Sequence, residues 1–141
     1  MRLRIAMLAV VGLVTSACAS PPPSTPLPVV SPVPITLRVA PANLGCDAMA
    51  PPYGSVTFRI DATAPEQVVA LADTGATLST FWSAAFVGGS SGESLVRDPA
   101  GSVVVRDGEV LRIPDGSWPR LAGYFVCPSS NALYVLFVDP Q

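Results

Sequence analysis

Among its 141 residues the chain has no histidine and no lysine. Without an imidazole there is no Ser-His-Asp triad, no Cys-His pair and no histidine-bearing zinc site. Without a lysine amine there is no Ser-Lys dyad, no Schiff base and no phosphate-holding P-loop. Charge of either sign is sparse: 13% of residues are charged, and 8 arginines against 10 acids leave a formal net charge of −2. That inventory supplies no cationic face, so no nucleic-acid partner is expected. Carboxylates, hydroxyls, tyrosine and arginine are what remains for chemistry, and neither a cofactor nor a metal is expected from them.

What is present begins with an export signal. Arg2 and Arg4 form a charged start, and residues 5–17 are an uncharged apolar run too short to span a bilayer. Val14-Thr15-Ser16-Ala17-Cys18 resembles the bacterial lipobox, in which small residues precede a cysteine that receives diacylglycerol and becomes the new N-terminus. Thr15 stands where that family usually has Leu, Val or Ile. The competing chemistry is cleavage after the A-x-A triplet Ala17-Cys18-Ala19, which would discard Cys18. The lipobox reading explains a cysteine placed between an apolar run and a polar tether, and residues 1–17 are read as signal on that ground. Ala19 after Cys18 resembles the pattern sent to an outer membrane; without such a membrane, the anchor would sit on the outer face of the plasma membrane.

Residues 18–34 then read as the lipidated cysteine and a stiff tether. Seven of the fourteen residues from 21 to 34 are proline. At about 3.1 Å per residue in polyproline II they span roughly 43 Å, enough to hold a domain clear of lipid. The remainder, 35–141, is one domain with a modest core that benefits from a staple. Cys46 and Cys127 are the cysteines left once Cys18 is lipidated, and in an oxidising compartment they are expected to pair.

This domain reads as all-β, a small antiparallel barrel or sandwich with that one disulfide. Segments 55–61, 67–72, 94–97, 102–106, 109–113, 121–127 and 133–138 are short, rich in β-branched and aromatic residues and bounded by turn residues. Asp107-Gly108 predicts a two-residue hairpin that sets Arg106 opposite Glu109, Val105 opposite Val110 and Val104 opposite Leu111. The last segment is apolar on both faces, which places it inside a sheet.

One stretch looks catalytic. Ala70-Leu71-Ala72-Asp73-Thr74-Gly75-Ala76-Thr77 resembles the active-site signature of retropepsin-like aspartic proteases, an apolar strand running into Asp-Thr-Gly. The resemblance implies a homodimer, because the chemistry needs two carboxylates sharing a proton and this chain carries one such motif. Asp73, Thr74 and Gly75 would then be the site. The resemblance covers about twenty residues; the flap-like Gly88-Gly89-Ser90-Ser91-Gly92 follows too soon. The bland reading of the tripeptide is a β-turn.

A second resemblance runs through Leu95-Val96-Arg97-Asp98-Pro99, residues 101–109, Tyr124-Phe125-Val126-Cys127-Pro128 and Ala132-Leu133-Tyr134. These stretches are similar to small uncharacterised lipoproteins of GC-rich bacteria, which implies fold and location and leaves the biochemistry open. Trp82 and Trp118 offer a possible aromatic face for sugar rings, with core filling as the bland alternative. Asp98, Asp107, Glu109 and Asp115 sit at successive turns, where a Ca²⁺ site or a glycosidase pair is the sharp reading and solvation the ordinary one. Together these observations point to an exported, lipid-anchored, monomeric module without enzymatic activity. Its partners would be the membrane, through the anchor, and a cell-wall or envelope protein.

Overall fold

The computed structural model describes residues 20–26, 33–42, 44, 46, 51–90, 92–115 and 118–136. Every regular element among them is a strand: β1 (Ser55–Ile60), β2 (Val68–Ala72), β3 (Thr77–Trp82), β4 (Val87–Gly88), β5 (Leu95–Arg97), β6 (Val103–Arg106), β7 (Val110–Arg112), β8 (Arg120–Leu121), β9 (Tyr124–Pro128) and β10 (Ala132–Leu136). Seven form a nearly closed sheet in the order β7-β1-β2-β3-β10-β9-β8, and β4-β5-β6 form a small second sheet. The expected all-β class with one disulfide is therefore the observed one. Neighbours are antiparallel except β3 and β10, which run parallel with Phe81 beside Tyr134.

Period-two alternation builds the core. Val56, Phe58 and Ile60 of β1, Val68, Ala70 and Ala72 of β2, and Leu78, Thr80 and Trp82 of β3 all point inward, none more than 6% exposed. Burying an apolar side chain of this size contributes roughly 1.5–3 kcal/mol, and Val96, Val105, Val126, Leu133 and Val135 of the other strands join the same core. Trp82 brings a polar N–H into that interior, and β3 supplies its partner. The indole Nε1–H donates to Thr80 Oγ1 at 3.1 Å, and the Thr80 hydroxyl donates to the Val68 carbonyl at 2.7 Å. The one buried threonine of the core is thereby accounted for. β10 is buried on both faces and lies between β3 and β9, as its composition requires.

Three expectations change. The Asp107-Gly108 hairpin does not form: β6 pairs with β5 and β7 pairs with β1, in different sheets. The turn itself exists, with Glu109 N–H donating to the Arg106 carbonyl at 3.1 Å, but positive φ occurs at Gly108 and not at Asp107. The strand-matching hairpin turns need positive φ at the first central residue, alone or together with the second; other turns splay the arms, and here the arms part to two sheets. Asp107 holds the corner, its Oδ1 accepting the Ile60 N–H at 2.8 Å. Second, segment 121–127 is not one strand, because Ala122-Gly123 reverses the chain between β8 and β9 with φ of 49° and 90°. Third, β3 and β4 were not expected, since 77–82 puts Thr80 inward and Phe81 outward and β4 has two residues. Phe137 and Val138 of the last expected strand lie outside the described residues.

The start of the domain is strapped to this frame. Ile35 is buried and its N–H donates to the Gly89 carbonyl at 3.1 Å. Gly88 is packed so closely there that a Cβ would meet the Ile35 carbonyl oxygen at 2.0 Å. Beyond the end of its pairing with β2, β3 is flanked instead by residues 38–40: Trp82 N–H donates to the Arg38 carbonyl at 2.8 Å and Ala40 N–H to the Trp82 carbonyl at 2.7 Å. Cys46 then bonds Cys127 of β9, Cα to Cα 5.8 Å, across a separation of 81 residues. Residues 20–26, 33 and 34 are exposed and in no regular element.

Candidate functional site

Asp73, Thr74 and Gly75 lie in the four-residue loop, 73–76, between β2 and β3. Ala72 N–H donates to the Ala76 carbonyl at 2.8 Å, Gly75 N–H returns to the Ala72 carbonyl at 2.9 Å, and Gly75 sits at φ +89°. Such a loop closes with a left-handed residue, and Gly enters that conformation without a Cβ clash. All three residues are exposed. The Asp73 carboxylate is directed at the chain entering β1: its two oxygens lie 3.3 and 3.1 Å from the Gly54 N–H, and the Ser55 hydroxyl stands 3.4 Å away. Its own N–H donates to the Ser55 carbonyl at 3.0 Å. The tripeptide thus ties the β2–β3 turn to the start of β1.

The two tryptophans do not form a face. Trp82 is 1% exposed, with Phe58 at 6.3 Å and Phe86 at 5.6 Å as ring neighbours, so neither side of its indole is open to a sugar. Trp118 is half-buried ahead of β8. The aromatic pair that the sheet places on its outer face is Phe81 and Tyr134, stacked at 5.1 Å on neighbouring strands. The turn acids are equally dispersed. Asp98 accepts the Tyr124 hydroxyl at 2.7 Å and the Ser102 N–H at 2.8 Å; Asp107 faces Arg59 at 3.6 Å; Glu109 accepts the Arg106 N–H at 3.0 Å; Asp115 is exposed. Among the described residues no three His, Cys, Asp or Glu side chains gather as a metal site. Cys18 lies outside the described residues.

A recess that sequence reading did not anticipate opens where β2 parts from β3. Residues 36–38 form one wall and residues 65–68 the other, enclosing about 300 Å³. Polar ties fix the gap. The Thr36 N–H donates to Gln67 Oε1, Gln67 Nε2 donates to the Ala62 carbonyl at 2.8 Å, and Arg38 Nη1 stands 3.2 Å from Glu66 Oε1. Arg38 also reaches Ser79 Oγ at 3.4 Å and lies 5.9 Å from the centre of the Phe81 ring. Glu66 Oε1 is enclosed, yet no donor is aligned on it as a hydrogen bond. Two isolated charges 28 positions apart carry no motif, and only the fold brings them together.

Compared with protein-family models, curated proteins and solved structures, the chain matches none.

Proposed function

We propose that this is a lipid-anchored module of the bacterial cell envelope, exported, held to the membrane through diacylglyceryl-Cys18, and serving as a non-enzymatic interaction or structural element. The observation that carries the reading is the Cys46–Cys127 disulfide. A structural cystine belongs to an oxidising compartment, so it agrees with the export signal and with a lipobox cysteine that is consumed by acylation. The proline-rich stretch supplies the standoff, and the strapped β-domain supplies the rigid body at its end.

The way Asp73 is used favours a non-enzymatic module over a retropepsin-like homodimer. A shared-proton dyad needs two carboxylates facing one water, whereas this carboxylate is spent on the Gly54 N–H at the edge of its own chain. In the test, Cys18→Ser is expected to release the protein from membranes or block its maturation, read by fractionation and immunoblotting. Normal processing and unchanged membrane association of that variant would refute the anchor. Asp73→Asn should abolish no pepstatin-sensitive peptidase activity of the purified protein; loss of such an activity would establish the protease instead.

A further inference from the structure

We propose that the recess between residues 36–38 and 65–68 is a binding site for a neutral sugar unit of an envelope glycan, with Arg38 and Glu66 as its paired hydrogen-bonding groups. This rests on the reading of the protein as an envelope module and names the ligand class of that module. The volume, about 300 Å³, lies at the lower end of the range for small-ligand pockets and suits one or two sugar rings.

Ligand class follows from the charges. Arg38 and Glu66 stand 3.2 Å apart, so each largely cancels the other's field at a distance, and a free anion or cation gains little net attraction. What the pair presents instead is a planar donor beside an acceptor. Among the described residues the Arg38 guanidinium bonds through Nη1, to Glu66 and Ser79, and lies over the Phe81 ring, which leaves further N–H groups of the fork. Glu66 Oε1 is enclosed and faces Arg38 Nη1, so the acceptor offered to a ligand is the other carboxylate oxygen of this side chain, which is 28% exposed. Adjacent hydroxyls of a pyranose accept from one such group and donate to the other. Leu37, Pro65 and Val68 give the recess an apolar wall for the C–H face of the ring. An extended peptide fits less well, because it needs open main-chain groups. The Thr36 N–H is taken by Gln67 and the Arg38 carbonyl by the Trp82 N–H. The bond from Thr36 to Gln67 ties one wall to the other and fixes their spacing before any ligand arrives, so little ordering cost remains for binding.

The mature full-length protein, purified in detergent, would be titrated with N-acetylglucosamine, chitotetraose and maltotetraose, all uncharged, followed by amide chemical shifts. The expected result is saturable binding of at least one sugar, with shifts centred on residues 36–38 and 65–68. Arg38→Gln and Glu66→Gln, both at solvent-accessible positions, should each weaken it by about tenfold or more while the remaining spectrum stays folded. No saturable binding by any of the three sugars would overturn the proposal. So would binding that both variants leave unchanged, or an uncharged tetrapeptide occupying the recess more tightly than the sugars. Membrane fractionation of Cys18→Ser reads the envelope assignment separately, so an anchored protein that ignores sugars sinks this site alone.

Discussion

Ala122 occupies a conformation its side chain opposes. It heads the two-residue turn between β8 and β9 at φ 49°, followed by Gly123 at φ 90°, where the favoured residues are Asn, Asp or Gly. An L-residue with a Cβ pays for that left-handed region, so Ala122→Gly is expected to stabilise the protein by about 0.5–1 kcal/mol, measured by urea unfolding. An unchanged or lower midpoint would mean that the turn is not left-handed. The same residue explains why this hairpin was illegible: Leu121-Ala122-Gly123 has strand-like neighbours and only the glycine hints at reversal. Asp-Thr-Gly shows the opposite difficulty, since its loop and its protease-like reading share the same letters. What the Asp73 carboxylate touches depends on Gly54, nineteen residues upstream and invisible to a local motif.

At the scale of elements, a carboxylate joins the two sheets. Asp98 follows β5 of the small sheet and accepts the hydroxyl of Tyr124 on β9 of the large one. The bond holds the Asp98 carboxyl below its ordinary range, chiefly through the Tyr124 hydroxyl, and holds the Tyr124 phenol above its own, chiefly through the same contact. A lowered carboxyl pKa stabilises the fold above the unfolded value near 4 and loses that contribution as pH falls through the folded value. A raised phenol pKa stabilises it below about 10 and loses that contribution as pH rises through the folded value. Asp98→Asn should therefore be less stable than wild type at neutral pH, with the gap closing below about pH 4, as read from urea midpoints between roughly pH 2 and 7. A gap that stays constant with pH would show that the carboxylate form carries none of the tie. Much at this scale was legible, because β1, β2, β5, β6, β7 and β10 announce themselves by alternation or by β-branched runs. The pairing of β6 and β7 was not, because sequence proximity and an Asp-Gly turn favour a hairpin while the arms belong to two sheets. β3 escaped notice because its buried hydroxyl and outward phenylalanine invert the usual pattern, for a reason located in Trp82 and Val68.

For the molecule as a whole, the disulfide closes 81 residues of separation and pins the segment that leaves the tether to β9, beside the edge strand β8 of the large sheet. In the chain-entropy account a loop of that length contributes about 4.5 kcal/mol, a large share of the stability of a domain this size. Replacing Cys46 and Cys127 together by Ser should lower the unfolding free energy by about that amount in denaturant titration, and a loss below about 1 kcal/mol would mean that the strap is held by its hydrogen bonds alone. Class and brace were readable because two cysteines stand in the body of the chain and short β-branched runs recur along it. The recess at Arg38 and Glu66 was not, because it arises where one strand leaves another and a distant segment takes its place.

The central claim is that an acylated Cys18 carries a disulfide-braced β-domain outside the cell. Intact-mass and peptide mass spectrometry of the protein extracted from membranes tests it most directly. The account predicts an N-terminal peptide beginning at Cys18 with diacylglyceryl mass attached, and a peptide pair joined through Cys46 and Cys127. An unacylated chain beginning at Ser20, or free thiols at both of those cysteines, would contradict it.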